Sequence, residues 1–329
     1  MSAEYEKALQ EQFGRLNKDN FKVQFAIKTL FVCGGIVHPV DKQLPPGSFR
    51  DRLMRYTAEK GIEFHDYIVL AEEFKDYYAD GNYRDLLTFE DDIASLSTLV
   101  IIFLESAGSL VELGLYCSRP AFFKKLLVVV PKDELETEDS FIYLGPLKFI
   151  ESKVENSFCT YPFPSLNDDV QENEPEYDNY YLEDLCHNVE EKIKNTHKTE
   201  NFKEKISGHI SYLIAEIIRL SFPIMLGEIE KVLKHLGIEV QQGTLQRILY
   251  LLRKMRFIDK ERESTNTYYY PIHRDKKLVN FGRTTDNKII DDSTLTMALR
   301  LTYVTDDSQL ARRRLNVLQN VVPKMEEGN

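Results

Sequence analysis

Apolar runs bounded by turn residues fill the first 150 residues, an acidic proline-bearing stretch follows to about residue 200, and helical periodicity governs the rest. Leu99 to Phe103 is five consecutive apolar residues, the pattern of a strand buried on both faces of a parallel sheet. A Ser-Ala-Gly-Ser turn, Ser106 to Ser109, comes shortly after, and Leu110, Val111, Leu113 and Tyr116 then recur at helical spacing. Either Ser106 or Ser109 is suited to cap that helix, because its hydroxyl can accept a free amide hydrogen bond. Ala26 to Cys33 reads as an earlier strand ended by Gly34-Gly35, and Ile62 to Leu70 as a second strand with its exit. Phe122 to Pro131 gives a further buried strand, and Ser140 to Ile150, with Gly145-Pro146, is expected to close the sheet. Helices are predicted over residues 3 to 17, from about Phe49, and over Leu86 to Leu96. In the first of these Tyr5, Leu9, Phe13 and Leu16 share one side. This alternation predicts an α/β fold built on a doubly wound, mostly parallel sheet with right-handed crossovers.

Past residue 200 the pattern changes. Ile210 to Met225, interrupted by Pro223, then Gly227 to Leu236, ended by Gly237, and Thr244 to Met255, capped by Thr244, read as three helices. Phe257 to Glu263 and Thr267 to Ile272 read as two strands around Ser264-Thr265-Asn266. Three helices and a hairpin form the winged helix-turn-helix pattern. The expected division is a sheet domain with its N-terminal helix over residues 1–155, and an acidic linker with a connecting helix over 156–200. A winged-helix domain over 201–283 and a tail over 284–329, with a helix from Gln309 to Val321, complete it.

The formal charge of −11 argues against a general affinity for nucleic acid, while leaving room for a local basic patch. Such a patch is carried by the third helix and the hairpin of the second half: Gln242, Gln246, Arg247, Arg253, Lys254, Lys260 and Arg262 are candidate nucleic-acid or partner contacts. The acidic residues Asp259, Glu261 and Glu263 dilute it, so a protein-docking role stands beside the nucleic-acid one. Tyr268, Tyr269 and Tyr270 are candidates for base stacking, although alternation along a strand directs at least one to the core. Arg312 to Arg314 are either a contact surface or a solvated basic face. Cys33, Cys117, Cys159 and Cys186 show no metal-ligand spacing and read as reduced thiols, so no metal is expected. With no run near the roughly 18 apolar residues that span a membrane, a cytoplasmic protein without membrane association is expected.

The candidate chemistry gathers where the central strand ends. Glu112 falls near the start of the helix, just outside the carboxyl end of the strand, where open α/β sheets bind ligands. A helix N-terminus favours the anionic carboxylate, which suits a nucleophile and equally suits a residue that merely complements the helix dipole. Gly34 and Gly35 allow close approach of a ligand to the backbone or form a plain tight turn. One of Arg50, Arg52 and Arg55 is a candidate phosphate contact, against the commoner solvated helix face. Glu90, Asp91 and Asp92 project around their helix, so one of them can supply a second carboxylate.

The ordered series Phe31-Val-Cys-Gly-Gly, Leu86-Leu-Thr-Phe-Glu-Asp-Asp-Ile and Val100-Ile-Ile-Phe-Leu-Glu-Ser-Ala-Gly-Ser-Leu-Val-Glu-Leu-Gly resembles the nucleoside 2-deoxyribosyltransferase-like fold. Within it the chain is most similar to effectors of bacterial retron anti-phage systems, in which this domain is joined to a winged helix. The resemblance implies that Glu112 is the catalytic nucleophile, that Glu90 and Asp91 stand where an auxiliary acid is found, and that Cys33, Gly34, Gly35, Ser106, Gly108 and Ser109 border the substrate. It further implies NAD as substrate without a separate cofactor, and a complex with the retron reverse transcriptase and its branched DNA–RNA product, msDNA. A homo-oligomer or filament is left open. One departure is Thr98, where the family often has an aspartate before the central strand. Rival readings are a nucleobase-exchanging or nucleoside-hydrolysing salvage enzyme and a nucleotide-sensing DNA-binding regulator.

Overall fold

A computed structural model of the chain describes residues 3–39, 44–74, 83, 85–133, 140–163 and 179–327. The chain forms two units, each assembled from separated segments: one from Lys28–Lys75 and Ser97–Thr196, the other from Met1–Ile27, Asp76–Leu96 and His197–Asn329. Helix α1 (Ala3–Phe13) and the short strand β1 (Lys22–Gln24) open the chain and belong to the second of these units. The first helix thus stops at Phe13 and not at residue 17, yet Tyr5, Leu9, Phe13 and Leu16 are all buried as their spacing predicts.

The sheet unit is built on β2 (Leu30–Cys33), whose four residues are all buried. Helix α2 (Phe49–Lys60) follows, capped by the Ser48 side chain accepting from the Asp51 amide and ended by Gly61 at φ 61°. A 3₁₀ turn over Glu63–Tyr67 leads into β3 (Ile68–Leu70). Helix α3 (Leu86–Leu96) matches its predicted bounds but belongs to the other unit. The central strand β4 (Leu99–Phe103) runs into α4 (Ala107–Cys117), and β5 (Leu126–Pro131) follows a 3₁₀ turn. Strand order is β3-β2-β4-β5 and then a fifth strand, β6 (Phe158–Tyr161), with every pairing parallel. The doubly wound parallel sheet expected from the sequence is therefore present.

The closing strand is not where the sequence suggested. Tyr143–Leu147 forms a π-type turn that runs into the one-turn helix α5 (Lys148–Glu151), and the edge strand follows at 158–161. Pro146 has no amide to give a ladder, whereas Leu147 and Ile150, three residues apart, are both buried, as one helical face requires. Helix α6 (Asn179–Asn195) inserts Leu182, Leu185, Cys186 and Val189 into the same core as Leu30, Val32, Ile101 and Val129. Much of the stretch expected as a linker thus belongs to the sheet unit; its most acidic part, residues 164–178, lies outside the described residues.

In the second unit β1 pairs antiparallel with β7 (Thr199–Asn201). Helix α7 (Ser207–Ser221) ends four residues before the predicted Met225, since Phe222 precedes Pro223 and residues before proline leave the helical region. After β8 (Ile224–Met225) come α8 (Leu226–His235) and α9 (Gln242–Lys254). Helix α9 begins at Gln242, with Gln241 in the capping position, so Thr244 is an internal residue and not its cap. Strands β9 (Ile258–Glu263) and β10 (Asn266–Pro271) form a hairpin, and β8 completes an antiparallel sheet in the order β8-β10-β9. Strand β11 (Val279–Asn280) adds to β1. Helices α10 (Asp292–Val304) and α11 (Gln309–Glu327) close the unit, the last running past the predicted Val321.

Two sequence expectations change here. Tyr268 and Tyr270 are both buried, packed with Phe222, Val317 and Val321, which leaves Tyr269 alone half-buried among the three tyrosines. Arg314 is no part of a solvated basic face. It is buried, pairs with the buried Glu228, donates to the Pro223 carbonyl, and stacks 3.7 Å from the centre of the Tyr5 ring. Arg312, two residues before it, is exposed. No described helix is long and apolar enough to cross a membrane.

Candidate active site

Strands β3 and β4 lie on opposite sides of β2, so the winding reverses between β2 and β4, and a crevice opens outside their carboxyl ends. Two segments form its walls: Gly34-Gly35 after β2, and Leu104 to Ser109 between β4 and α4. Cys33 pairs with Ile102 in the ladder and is the last residue of β2.

Glu112 projects from the second turn of α4 and is half-buried. Its carboxylate accepts a hydrogen bond from the Cys33 thiol, while Oε2 is enclosed and has no partner among the described residues. Burial pushes the Glu112 carboxyl above the ordinary carboxylate value, the Cys33 thiol and the Arg50 charge pull it back, and Glu72 adds to the rise. Unsatisfied charged oxygens are costly inside a protein and are commonly held at sites where a ligand completes them.

Arg50 is the neighbour that sequence reasoning set aside. It is 1% exposed, so it belongs to no solvated helix face. Its guanidinium donates to the Val32 carbonyl at 3.0 Å and to the Glu72 carboxylate, while Nε has no partner among the described residues. Arg55 is tied to Asp51. The signal was present: Ser48 followed by Asp51 marks a helix start, which puts Arg50 in the first turn, over the carboxyl end of the sheet.

Glu105 was also missed. Its carboxylate accepts from the amides of Gly35 at 2.9 Å, Phe49 at 2.8 Å and Arg50 at 3.1 Å. It thereby fastens the glycine pair and the start of α2 to the end of β4. This changes the role of the glycines. A Cβ on Gly35 would stand 2.6 Å from Ser48 Cβ and 2.9 Å from Glu105 Cδ, and one on Gly34 would stand 2.7 Å from Phe103 Cβ. The side chain is absent so that the protein's own parts can approach, and the shape of the crevice depends on it.

The serines are committed too. Ser106 accepts from the Ser109 amide and Ser109 Oγ accepts from the Ser106 amide, both at 3.1 Å, and the Ser109 hydroxyl donates to the Ser106 carbonyl at 2.8 Å. Both serines therefore build the helix cap. The amides of Ala107 and exposed Gly108 have no acceptor among the described residues, so of the hydroxyl and backbone donors expected of this turn the backbone ones are free. Thr98 sits at the opposite end of β4, where its Oγ1 accepts from the Thr29 amide at 3.1 Å and its own amide donates to the Thr29 carbonyl.

The structure thus brings Cys33, Gly34, Gly35, Ser106, Gly108, Ser109 and Glu112 to one end of the sheet unit. Glu90 and Asp91 are carried by α3 in the other unit, Glu90 buried and Asp91 half-buried. Their neighbour Asp92 accepts from Arg247 at 2.9 Å and from the Tyr83 hydroxyl at 3.2 Å. The second unit's basic candidates divide in a similar way. Arg247 is held by Asp92 and lies over Tyr83, Arg253 pairs with Asp259 at 3.3 Å, and Lys254 lies over the Tyr250 ring. Gln242, Gln246, Lys260 and Arg262 are exposed.

Fold and site together define a doubly wound α/β protein with a half-buried carboxylate at its topological switch point, joined to a mainly helical unit. Among known families the chain belongs to the STM3845 retron effector proteins, whose family model matches residues 46–260. It is 28% identical over 259 residues to a candidate ribosyltransferase/DNA-binding protein of retron Ec73 from Escherichia coli, covering 75% of this chain and 78% of that protein. A similarly named protein of retron Ec86, also from Escherichia coli, is 31% identical over 144 residues, 43% of each chain.

Proposed function

We propose that this retron effector is an N-glycosidase that releases nicotinamide from NAD, with Glu112 as the attacking or charge-stabilising carboxylate. The observation that carries this reading is the Glu112 carboxylate itself, enclosed beside Cys33 with one oxygen unpartnered. Cleavage of an N-glycosidic bond makes the anomeric carbon oxocarbenium-like, and a desolvated anion beside that carbon stabilises it or bonds to it. The nicotinamide of NAD is already cationic at its ring nitrogen, so it leaves as a neutral base with the bonding electron pair and needs no proton. An enclosed, unpaired carboxylate also favours a cationic substrate over a neutral deoxynucleoside. Water then attacks the anomeric carbon, frees Glu112 and loses a proton, giving ADP-ribose. The amides at the start of α4 are suited to sugar or phosphate oxygens, and Glu90 or Asp91 is the auxiliary acid of this reading.

The three helices α7, α8 and α9 and the β9–β10 hairpin are read as a winged helix. Its exposed Gln242, Gln246, Lys260 and Arg262 are suited to a reverse transcriptase–msDNA complex that holds the toxin inactive in the cytoplasm. The relatives' names, ribosyltransferase and DNA-binding protein, support both halves of this reading. The test is total NAD in cells that express the chain with its retron partners and are challenged with phage, beside a Glu112→Gln version at equal level. Loss of NAD in the first and none in the second is the expected result. Equal loss in both overturns the role of Glu112, and intact NAD in both, with the protein folded, overturns the substrate.

A further inference from the structure

Away from the crevice, the second unit carries a groove of about 440 Å³ between α10 and the end of α7. One wall is the face of α10 that shows Met297, Leu301 and Val304, which are 71%, 57% and 58% exposed. These positions are four and three residues apart, so they form one stripe along the helix. Exposed apolar stripes beside a groove are a common mark of protein docking.

The floor of the groove is cationic. Arg300 and Arg274 both stack on Phe222, their guanidinium carbons 4.9 and 5.8 Å from the ring centre. Neither arginine has an ion-pair partner among the described residues. Arg300 Nε and Nη2 meet no carboxylate among the described residues, and the neighbouring Tyr303 hydroxyl, which interacts with this guanidinium, brings no negative charge to it. The nearby anions are already used: Asp292 is shared by Arg219 and by Lys277, and Glu216 is held by Arg219. Burial lowers the Arg300 pKa, Tyr303 pulls it back up, and the Arg274 charge adds to the fall, as expected for like charges without a carboxylate between them.

We propose that this groove docks an acidic, amphipathic helical segment of a protein partner. Its apolar residues lie along Met297, Leu301 and Val304, and a carboxylate sits between Arg274 and Arg300. Guanidinium groups favour carboxylates and phosphates alike, through paired hydrogen bonds. The apolar stripe decides between the two classes of macromolecule: a phosphodiester backbone would satisfy the arginines and leave Met297, Leu301 and Val304 in water, whereas an amphipathic helix covers both. This site is separate from the Glu112 crevice, and its test does not depend on catalysis.

The experiment places a photo-crosslinking phenylalanine derivative at the exposed position 297 of the full chain, in cells that carry the complete retron. The expected product joins residue 297 to a protein segment in which an Asp or Glu lies within one or two helical turns of leucine-like residues. Arg274→Glu, an exposed change, is expected to lower the yield about tenfold, equivalent to about 1.4 kcal/mol, and lysine at the mapped carboxylate is expected to do the same. Arg300→Glu is made alongside and used only if its melting temperature matches the parent. A crosslink to nucleic acid or to a second copy of this chain overturns the proposal. So does the absence of any crosslink, or a yield indifferent to Arg274→Glu.

Discussion

The crevice of the sheet unit and helix α9 of the second unit use charge in opposite ways. At the crevice a carboxylate is withdrawn from water and left with an unpaired oxygen. On α9 the cations that sequence marks as phosphate contacts are spent internally, Arg247 on Asp92 and Arg253 on Asp259. The same contrast recurs between Glu105 and Glu112, seven residues apart. The first is satisfied by three backbone amides and holds the turn together, and the second is held beside one thiol and kept incomplete. Residue type therefore says little about which charge acts outward; its partners decide.

This contrast can be broken most directly at Glu112. Glu112→Gln is expected to lower nicotinamide release by about 10²- to 10⁴-fold while leaving the melting temperature level or slightly raised, since a buried unpaired charge is removed. Arg314→Met should do the reverse. It strands the buried Glu228 carboxylate, an expected cost of about 3–5 kcal/mol in chemical denaturation, with turnover at permissive temperature unchanged. Gly35→Ala is intermediate and touches both quantities. Its methyl group must displace Ser48 or Glu105, costing about 1–3 kcal/mol and distorting the crevice.

A subtler test is the acid limb of the pH–rate profile. In the proposed mechanism Glu112 acts as the anion and its pKa lies above the ordinary value, so activity should fall as pH drops through that raised pKa. Cys33→Ala removes the thiol that lowers it and should move the limb to higher pH. The stability effect has the opposite sign: a raised carboxyl binds its proton more tightly folded than unfolded. Its contribution is thus full below the unfolded value and lost as pH rises through the folded one. The smallest effect is expected on α9. Arg253→Ala should change stability by no more than about 0.5 kcal/mol and, in the proposed nucleic-acid-binding reading, leave single-stranded DNA affinity and its salt dependence unchanged, while Lys260→Ala weakens both.

What sequence made legible was what local pattern controls. Five apolar residues in a row can only be a buried strand or a buried helix, and the Ser-Ala-Gly-Ser turn resolves Leu99–Phe103 as the strand before α4. Helix α3 was legible to the residue. The edge strand Phe158–Tyr161 was not, because four residues of mixed exposure carry no period, and their pairing with Val128 to Pro131 is set by the sheet already formed. For the same reason the three short strands β1, β7 and β11, drawn from residues 22–24, 199–201 and 279–280, left no trace. Glu112 was singled out from its position after the strand. Arg50 was read only as one of three candidate phosphate contacts and Glu105 not at all, because their partners are distant in the chain: Glu72 lies 22 residues from Arg50, and Gly35 lies 70 from Glu105.

The discontinuity of the second unit sets an order of events during synthesis. Helix α3 leaves the ribosome early, yet what it packs on arrives late: its Leu96 carbonyl accepts from Tyr212, the Ser95 hydroxyl from the Gly208 amide, and Asp92 from Arg247. Helix α1 waits still longer, because Tyr5 is covered by Arg314, 309 residues further along the chain. The residues of the sheet unit are complete by Thr196, with 197–329 untranslated. A nascent chain therefore holds every residue of the sheet unit before it holds all those of the second.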